Sequence, residues 1–197
     1  MVTMCMDISQ ENVSKLLKES NGRTRDFVAS AINVYKTIKW KKVSFIIPTE
    51  PIPSHRPRLS GYRVYVPGAA KNQAFFNKYV LPTLNGLFID TPCRVHLDLY
   101  VKTPKSMSNG QKILAEMKII RPWGNIGDVD NFAKSIFDAM QPNEKRGHVG
   151  IMSNDSLIVD SEEHKYYSMT PRTEVTIEFM GHIPEKLRKV LRLLNQK

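Results

Sequence analysis

The sequence predicts a fold that mixes helices and strands within one chain of single-domain size. Three observations carry this. Apolar residues recur at helical spacing in residues 1–40 and again after Asp128. Val95, Leu97, Leu99 and Val101 alternate with Arg94, His96, Asp98 and Tyr100, the pattern of a half-buried strand. The 197 residues are 41% hydrophobic, enough for one core, yet no apolar run approaches the ~20 residues that span a bilayer.

In chain order, residues 1–40 read as two helices. Ser9 is the expected N-cap of the first, Val13, Leu16 and Leu17 form its apolar stripe, and Asn21-Gly22 stops it. The second starts near Thr24, with Phe27, Ala31, Val34 and Ile38 on one side. This pair carries no chemistry and reads as an appendage. The expected organisation is a helical extension over 1–40, a main domain over 41–183 and a basic amphipathic helix over 184–197.

From Lys41 the pattern turns to strand. Residues 43–47 are rich in β-formers and end at Pro48. Residues 51–58, PIPSHRPR, form a stiff extended segment, and 62–66 are a second strand. Residues 69–84 read as a helix that ends or kinks near Pro82, with Lys71 and Lys78 exposed; Phe75, Phe76 and Tyr79 could stack bases, but residues at that spacing are more often core. After the strand at 95–101 come a polar loop over 102–111 and a short helix over 113–117. Residues 163–168 and 173–179 read as paired strands, and Pro184 opens a last helix with Leu187, Val190, Leu191 and Leu194 on one side.

The net charge of +10 is unevenly spread. Residues 41–121 hold 13 Lys/Arg against 4 Asp/Glu, whereas residues 122–180 hold 5 against 10. A basic half to grip phosphates and an acidic half to hold cations suit a metal-dependent nuclease. The two cysteines, Cys5 and Cys93, lack metal-ligand spacing and predict no disulfide framework. The N-terminal MVTMCMDISQ has no basic and apolar signal regions, so a cytoplasmic protein is expected. There is no Walker loop and no G-x-S-x-G, and the five histidines are scattered.

Chemistry concentrates in residues 127–140, GDVDNFAKSIFDAM. If residues 128–130 are the extended end of a strand, the Asp128 and Asp130 carboxylates point to one face. Asp130 or Asn131 would then cap a helix whose buried stripe is Phe132, Ile136 and Met140, with Ala133 and Phe137 beside it. Lys134 follows Asp130 by one turn. Two carboxylates and a lysine at such a junction suit a divalent metal and a phosphate. The same residues also describe an ordinary turn and cap with Lys134 on a solvated face, and alone they do not separate the two readings. Asp155 stands just before a β-rich run. Arg56 and Arg58 project to one side of the extended segment and are the first candidates for phosphate contact, joined by Arg63, Lys71 and Lys78.

Taken together, these stretches resemble the RusA family of phage and prophage Holliday junction resolvases. The likeness rests on Pro51-Ile52-Pro53-Ser54-His55-Arg56-Pro57-Arg58 with Arg63-Val64-Tyr65-Val66-Pro67, then Asp128-Val129-Asp130-Asn131 with Lys134 and Asp138-Ala139, then Asn154-Asp155-Ser156-Leu157-Ile158. It implies an α+β fold with a small mixed β-sheet flanked by helices, to which residues 1–40 add an extra helical segment. It implies a homodimer that cuts four-way DNA junctions in recombination, repair or phage DNA processing, in a bacterial cytoplasm, with Mg²⁺ as cofactor and Mn²⁺ as substitute. By the resemblance Asp128, Asp130 and Asp155 are metal-binding acids and Lys134 is a catalytic lysine. Three departures stand out. Gly127 replaces a usual proline, Asn154 replaces the first acid of a usual Asp-Asp pair, and the helical N-terminus has no counterpart. Two other functions fit parts of the pattern: a catalytically silent junction-binding protein, and a metal-dependent nucleotidyl transferase, which would want a nucleotide-binding loop that is missing.

Overall fold

The structure, a computed structural model, describes residues 10–54, 58–60, 63–65, 69–84, 86–124, 126–181 and 185. The chain divides into two compact units, one of Met1–Lys39 with Gly181–Lys197 and one of Trp40–Met180. In the smaller unit, α1 spans Gln10–Glu19 and α2 spans Gly22–Lys36. Asn21 does not merely stop the first helix. Its Oδ1 accepts from Thr24 N at 2.9 Å and caps the second, which therefore starts at Gly22. Of the expected α2 stripe, Ile38 is buried just beyond the helix, while Phe27 is exposed. The expected cap Ser9 and the expected helix from Pro184 lie outside the described residues.

The larger unit is α+β. Its four-stranded mixed sheet has the order β1-β6-β4-β5, with β1 at Trp40–Ile47, β4 at Cys93–Lys102, β5 at Ile158–Ser168 and β6 at Arg172–Met180. β6 runs antiparallel to both β1 and β4, and β5 runs parallel to β4. The expected pairing of the last two strands is thus corrected, because β4 lies between them. A connection of three residues spans the ~10 Å across one intervening strand, so a short link does not dictate pairing. A separate hairpin pairs β2, Arg58–Ser60, with β3, Arg63–Tyr65.

Among the described residues three α-helices complete the unit: α3 at Ala69–Tyr79, α4 at Asn109–Glu116 and α5 at Val129–Met140. α3 ends before a 3₁₀ turn at Leu81–Thr83, where Pro82 cannot continue the ladder. α4 begins four residues earlier than expected because Ser108 and Gln111 form a reciprocal capping box. Among the described residues no helix is long and apolar enough to cross a membrane.

Alternation in the strands decides which face is buried. Val95, Leu97, Leu99 and Val101 of β4 join Phe45, Ile47, Val175 and Ile177 in a core that also takes Phe76 of α3 and Phe132 and Ile136 of α5. Phe76 is fully buried and meets Phe45 edge-on at 5.7 Å, so it serves the core rather than nucleic acid. α3 and α5 are also tied by a buried polar contact, in which Asn72 Nδ2 donates to Ser135 Oγ and to Ile52 O. On the opposite face of β4, Arg94, His96 and Asp98 are partly exposed.

Candidate active site

The acid-rich segment is organised by α5. Among the described residues no strand leads directly into it, so the expected strand-to-helix handover at residues 128–130 is corrected. Gly127 has φ +99°, which breaks any extended run, and Asp128 itself takes the N-cap position with φ −76° and ψ 147°. Asp128 makes no capping hydrogen bond with its side chain, and Asp130 falls in the first turn rather than at the cap. Residues two apart on a helix do not share a face. Asp130 therefore lines up with Lys134 and Asp138 at intervals of four, while Asp128 stands at the helix mouth. Asp128, Asp130 and Lys134 are exposed and Asp138 is half-buried, opposite the buried Phe132, Ala133, Ile136 and Met140.

The mouth of α5 is held from two sides. Lys165 of β5 donates from Nζ to the Gly127 carbonyl at 2.5 Å, and its ammonium lies 6.0 Å from the Phe132 ring. Ser54 N donates to Asn131 O at 2.8 Å, which seats the proline-rich segment beside the first turn. A Cβ at Gly127 would sit 3.1 Å from Phe132 Cε2 and 3.6 Å from Pro53 Cβ. Proline, fixed near φ −65°, cannot adopt this backbone, so the loop follows a path that a proline here would forbid.

Asp155 comes from a different stretch. It opens a 3₁₀ turn, Asp155–Leu157, whose cap is Asn154, with Oδ1 accepting from Ser156 N at 2.8 Å. Asn154 is thus occupied in holding the turn. The approach to this turn is pinned to the end of α5, with Ile151 N on Met140 O at 2.7 Å and Met152 N on the same carbonyl at 3.1 Å. Gly150 makes that approach feasible, since a Cβ there would lie 2.5 Å from the Gln141 carbonyl carbon.

The two stretches meet electrostatically at Asp138. Burial pushes its carboxyl above the ordinary range, Lys134 pulls it down, and the negative charge of Asp155 pushes it up again. Lys134, Asp138 and Asp155 therefore share one neighbourhood. Asp138 was visible in the sequence at one further turn beyond Lys134, but its burial was not. Lys165 carried no signal at all, because its reach to Gly127 depends on where β5 lies.

Of the expected phosphate contacts, Lys71 and Lys78 are exposed on α3. Arg56 lies outside the described residues, and for Arg58 and Arg63 the description covers only the backbone of β2 and β3. Cys93 is buried, and burial pushes its thiol up to about 11, which argues against thiolate chemistry. Among the described residues, one set of three His, Cys, Asp or Glu side chains brings its donor atoms within 4.8 Å of one another. It is His96, Asp98 and His164, not the acids around α5.

Residues 48–178 match the family described as Endodeoxyribonuclease RusA, a span that contains α5, Asp155, β4, β5 and all but the last two residues of β6, and that begins just after β1 ends. The chain belongs to the RusA family. An uncharacterized protein, YqaN of Bacillus subtilis (strain 168), is 32% identical over 143 residues, covering 68% of this chain and 94% of YqaN. RusA-family proteins are Holliday junction resolvases that act on branched DNA, and membership implies endodeoxyribonuclease activity. The mixed four-stranded sheet flanked by helices agrees with a RusA-like fold.

Proposed function

We propose that the chain is a Mg²⁺-dependent endonuclease that resolves four-way DNA junctions by paired, symmetric nicks. The observation that carries this reading is the meeting of Lys134, Asp138 and Asp155 inside the RusA-matched span. Asp128, Asp130 and Asp155 are the proposed metal-binding acids. Their all-oxygen donor set suits Mg²⁺, with Mn²⁺ as substitute, and Mg²⁺ needs only one or two carboxylates when substrate phosphate and water complete its shell. When bound, the ion supplies Lewis-acid polarisation of the phosphate and a more acidic water.

The protein groups do the rest. Lys134 offsets negative charge that develops on the phosphate and on the leaving 3′ oxygen. The Asp138 carboxyl, raised by burial and by Asp155, is suited to take a proton from the attacking water when it is ionised. The free mouth of α5 places backbone N–H groups where a phosphate can approach, since Asp128 does not cap them with its side chain. Lys165 is a positioning residue that fixes the Gly127 carbonyl directly before Asp128. Arg56, Arg58, Arg63, Lys71 and Lys78 are the proposed contacts to the DNA backbone. Two nicks on opposed strands call for two matched sites, which a two-fold homodimer provides.

Incubation of a synthetic four-way junction with the chain, with Mg²⁺ or with EDTA and a linear duplex control, tests this reading. Paired nicks confined to the junction and to Mg²⁺ are expected. Tight binding without cleavage in Mg²⁺ would make the chain a binder instead.

A further inference from the structure

The face of the sheet turned away from the core carries a second set of ligand-type side chains that the nuclease reading does not use. On β4, His96 and Asp98 are two apart and share a face; on β5, Glu162 and His164 do the same. The parallel register sets His96 beside Glu162 and Asp98 beside His164. The result is a square of two imidazoles and two carboxylates.

Its internal distances separate ligands from support. His96 Nε2 lies 3.5 Å from Asp98 Oδ1, and His164 Nδ1 lies 3.4 Å from the same oxygen. These are long for hydrogen bonds, and His164 Nδ1 is buried with no hydrogen-bond partner. In a tetrahedral site with ligand atoms about 2.0–2.2 Å from zinc, neighbouring ligand atoms sit roughly 3.3–3.6 Å apart, which both spacings match. The far sides of the rings face Glu162. His96 Nδ1 is 3.1 Å from Glu162 Oε2 in a hydrogen bond, and His164 Nε2 is 3.5 Å from Oε1. A proton on His96 Nδ1, donated to Glu162, leaves the Nε2 lone pair facing Asp98. A carboxylate behind a metal-binding imidazole is the usual device for fixing its tautomer and orientation.

We propose that His96, Asp98 and His164 form a zinc site, with Glu162 orienting the two imidazoles and a fourth position open to water. Two imidazoles and a carboxylate prefer Zn²⁺ to Mg²⁺. Asp98 is largely buried, with a side-chain exposure of 19%, while the histidines at 41% and 33% leave a route for the ion. β5 is an edge strand that joins the sheet through β4 alone, so a zinc shared by the two strands clips that edge in place. The site is separate from the acids of α5, which packs on the other face of the sheet.

Equilibrium dialysis of the full-length chain against Zn²⁺, with visible absorption of the Co²⁺-substituted chain, tests the proposal. One Zn²⁺ per chain and a tetrahedral Co²⁺ spectrum are expected, together with an unfolding midpoint raised by roughly 5–10 °C at a hundredfold excess over Kd. His164→Ala lowers zinc affinity by about 100-fold or more, and Glu162→Gln by about 10-fold, with circular dichroism confirming that both fold. Asp155→Asn, which removes an acid of the proposed nuclease centre, leaves zinc binding unchanged. A wild-type chain that takes up no Zn²⁺, or a His164→Ala chain that binds it as tightly as wild type, overturns the site. So does loss of zinc in Asp155→Asn with retention in His164→Ala.

Discussion

The acid stripe of α5 and the histidine square of the open sheet face are assembled by different means. The stripe runs along a single helix, with Asp130, Lys134 and Asp138 one turn apart, and only Asp155 arrives from elsewhere. The square is split evenly between two strands, and only the parallel register of β4 and β5 unites it. Local spacing alone thus exposes the first, whereas the second appears only when the strand partners are known. The stripe also depends on long-range pins at Gly127 and Gly150, while the square depends on sheet register and little else.

Gly150→Ala probes this dependence with the largest expected effect. The added Cβ would lie 2.5–2.6 Å from backbone atoms of Met140, Gln141 and Pro142, at a φ of +69° that L side chains rarely adopt. Strain and overpacking together cost about 2–4 kcal/mol, lowering the thermal midpoint by roughly 5–15 °C. Below that midpoint the Asp155 turn should be displaced, so junction cleavage falls steeply while zinc uptake holds. Equal loss of both activities would show that the two sites are not assembled independently.

Asp138→Asn carries a smaller effect and a definite sign. The raised carboxyl means that, between its unfolded and folded titration, the folded chain binds more protons than the unfolded one. Stability from this group therefore falls as pH rises through that window and stays lower above it. Removing the charge should raise the thermal midpoint at neutral pH, and the gain should shrink as pH drops below the ordinary carboxylate range. A midpoint lowered at neutral pH would mean that the Asp138 charge is stabilising, contrary to its burial and its neighbour Asp155.

Much of the fold could be read from the chain. The alternation in β4, the amphipathic run of α5 and the exposure of Lys71 and Lys78 follow directly from residue spacing. What escaped was pairing and backbone detail. The order β1-β6-β4-β5 separates two strands that a three-residue link appears to unite. The helical start at Val129 was hidden because an Asp-x-Asp pair reads equally well as strand or as helix mouth, and only the positive φ of Gly127 decides. Among the acids, Asp128, Asp130 and Asp155 were singled out by spacing and resemblance. The burial of Asp138 and the reach of Lys165 to Gly127 come from tertiary packing, which no local pattern encodes. His96 and His164 looked scattered because 68 positions of chain separate two side chains that the sheet brings together.

The central claim is that the carboxylates at the mouth of α5 cut DNA rather than merely cap a helix. Asp128→Asn tests it most directly, with junction affinity and cleavage rate measured side by side in Mg²⁺. Because Asp128 makes no capping hydrogen bond and is exposed, the change should leave folding intact. The account predicts junction binding within about threefold of wild type and a cleavage rate lowered by about 1,000-fold or more, the scale of removing a principal charge-stabilising group. Cleavage at a near-normal rate would contradict it and remove Asp128 from the mechanism.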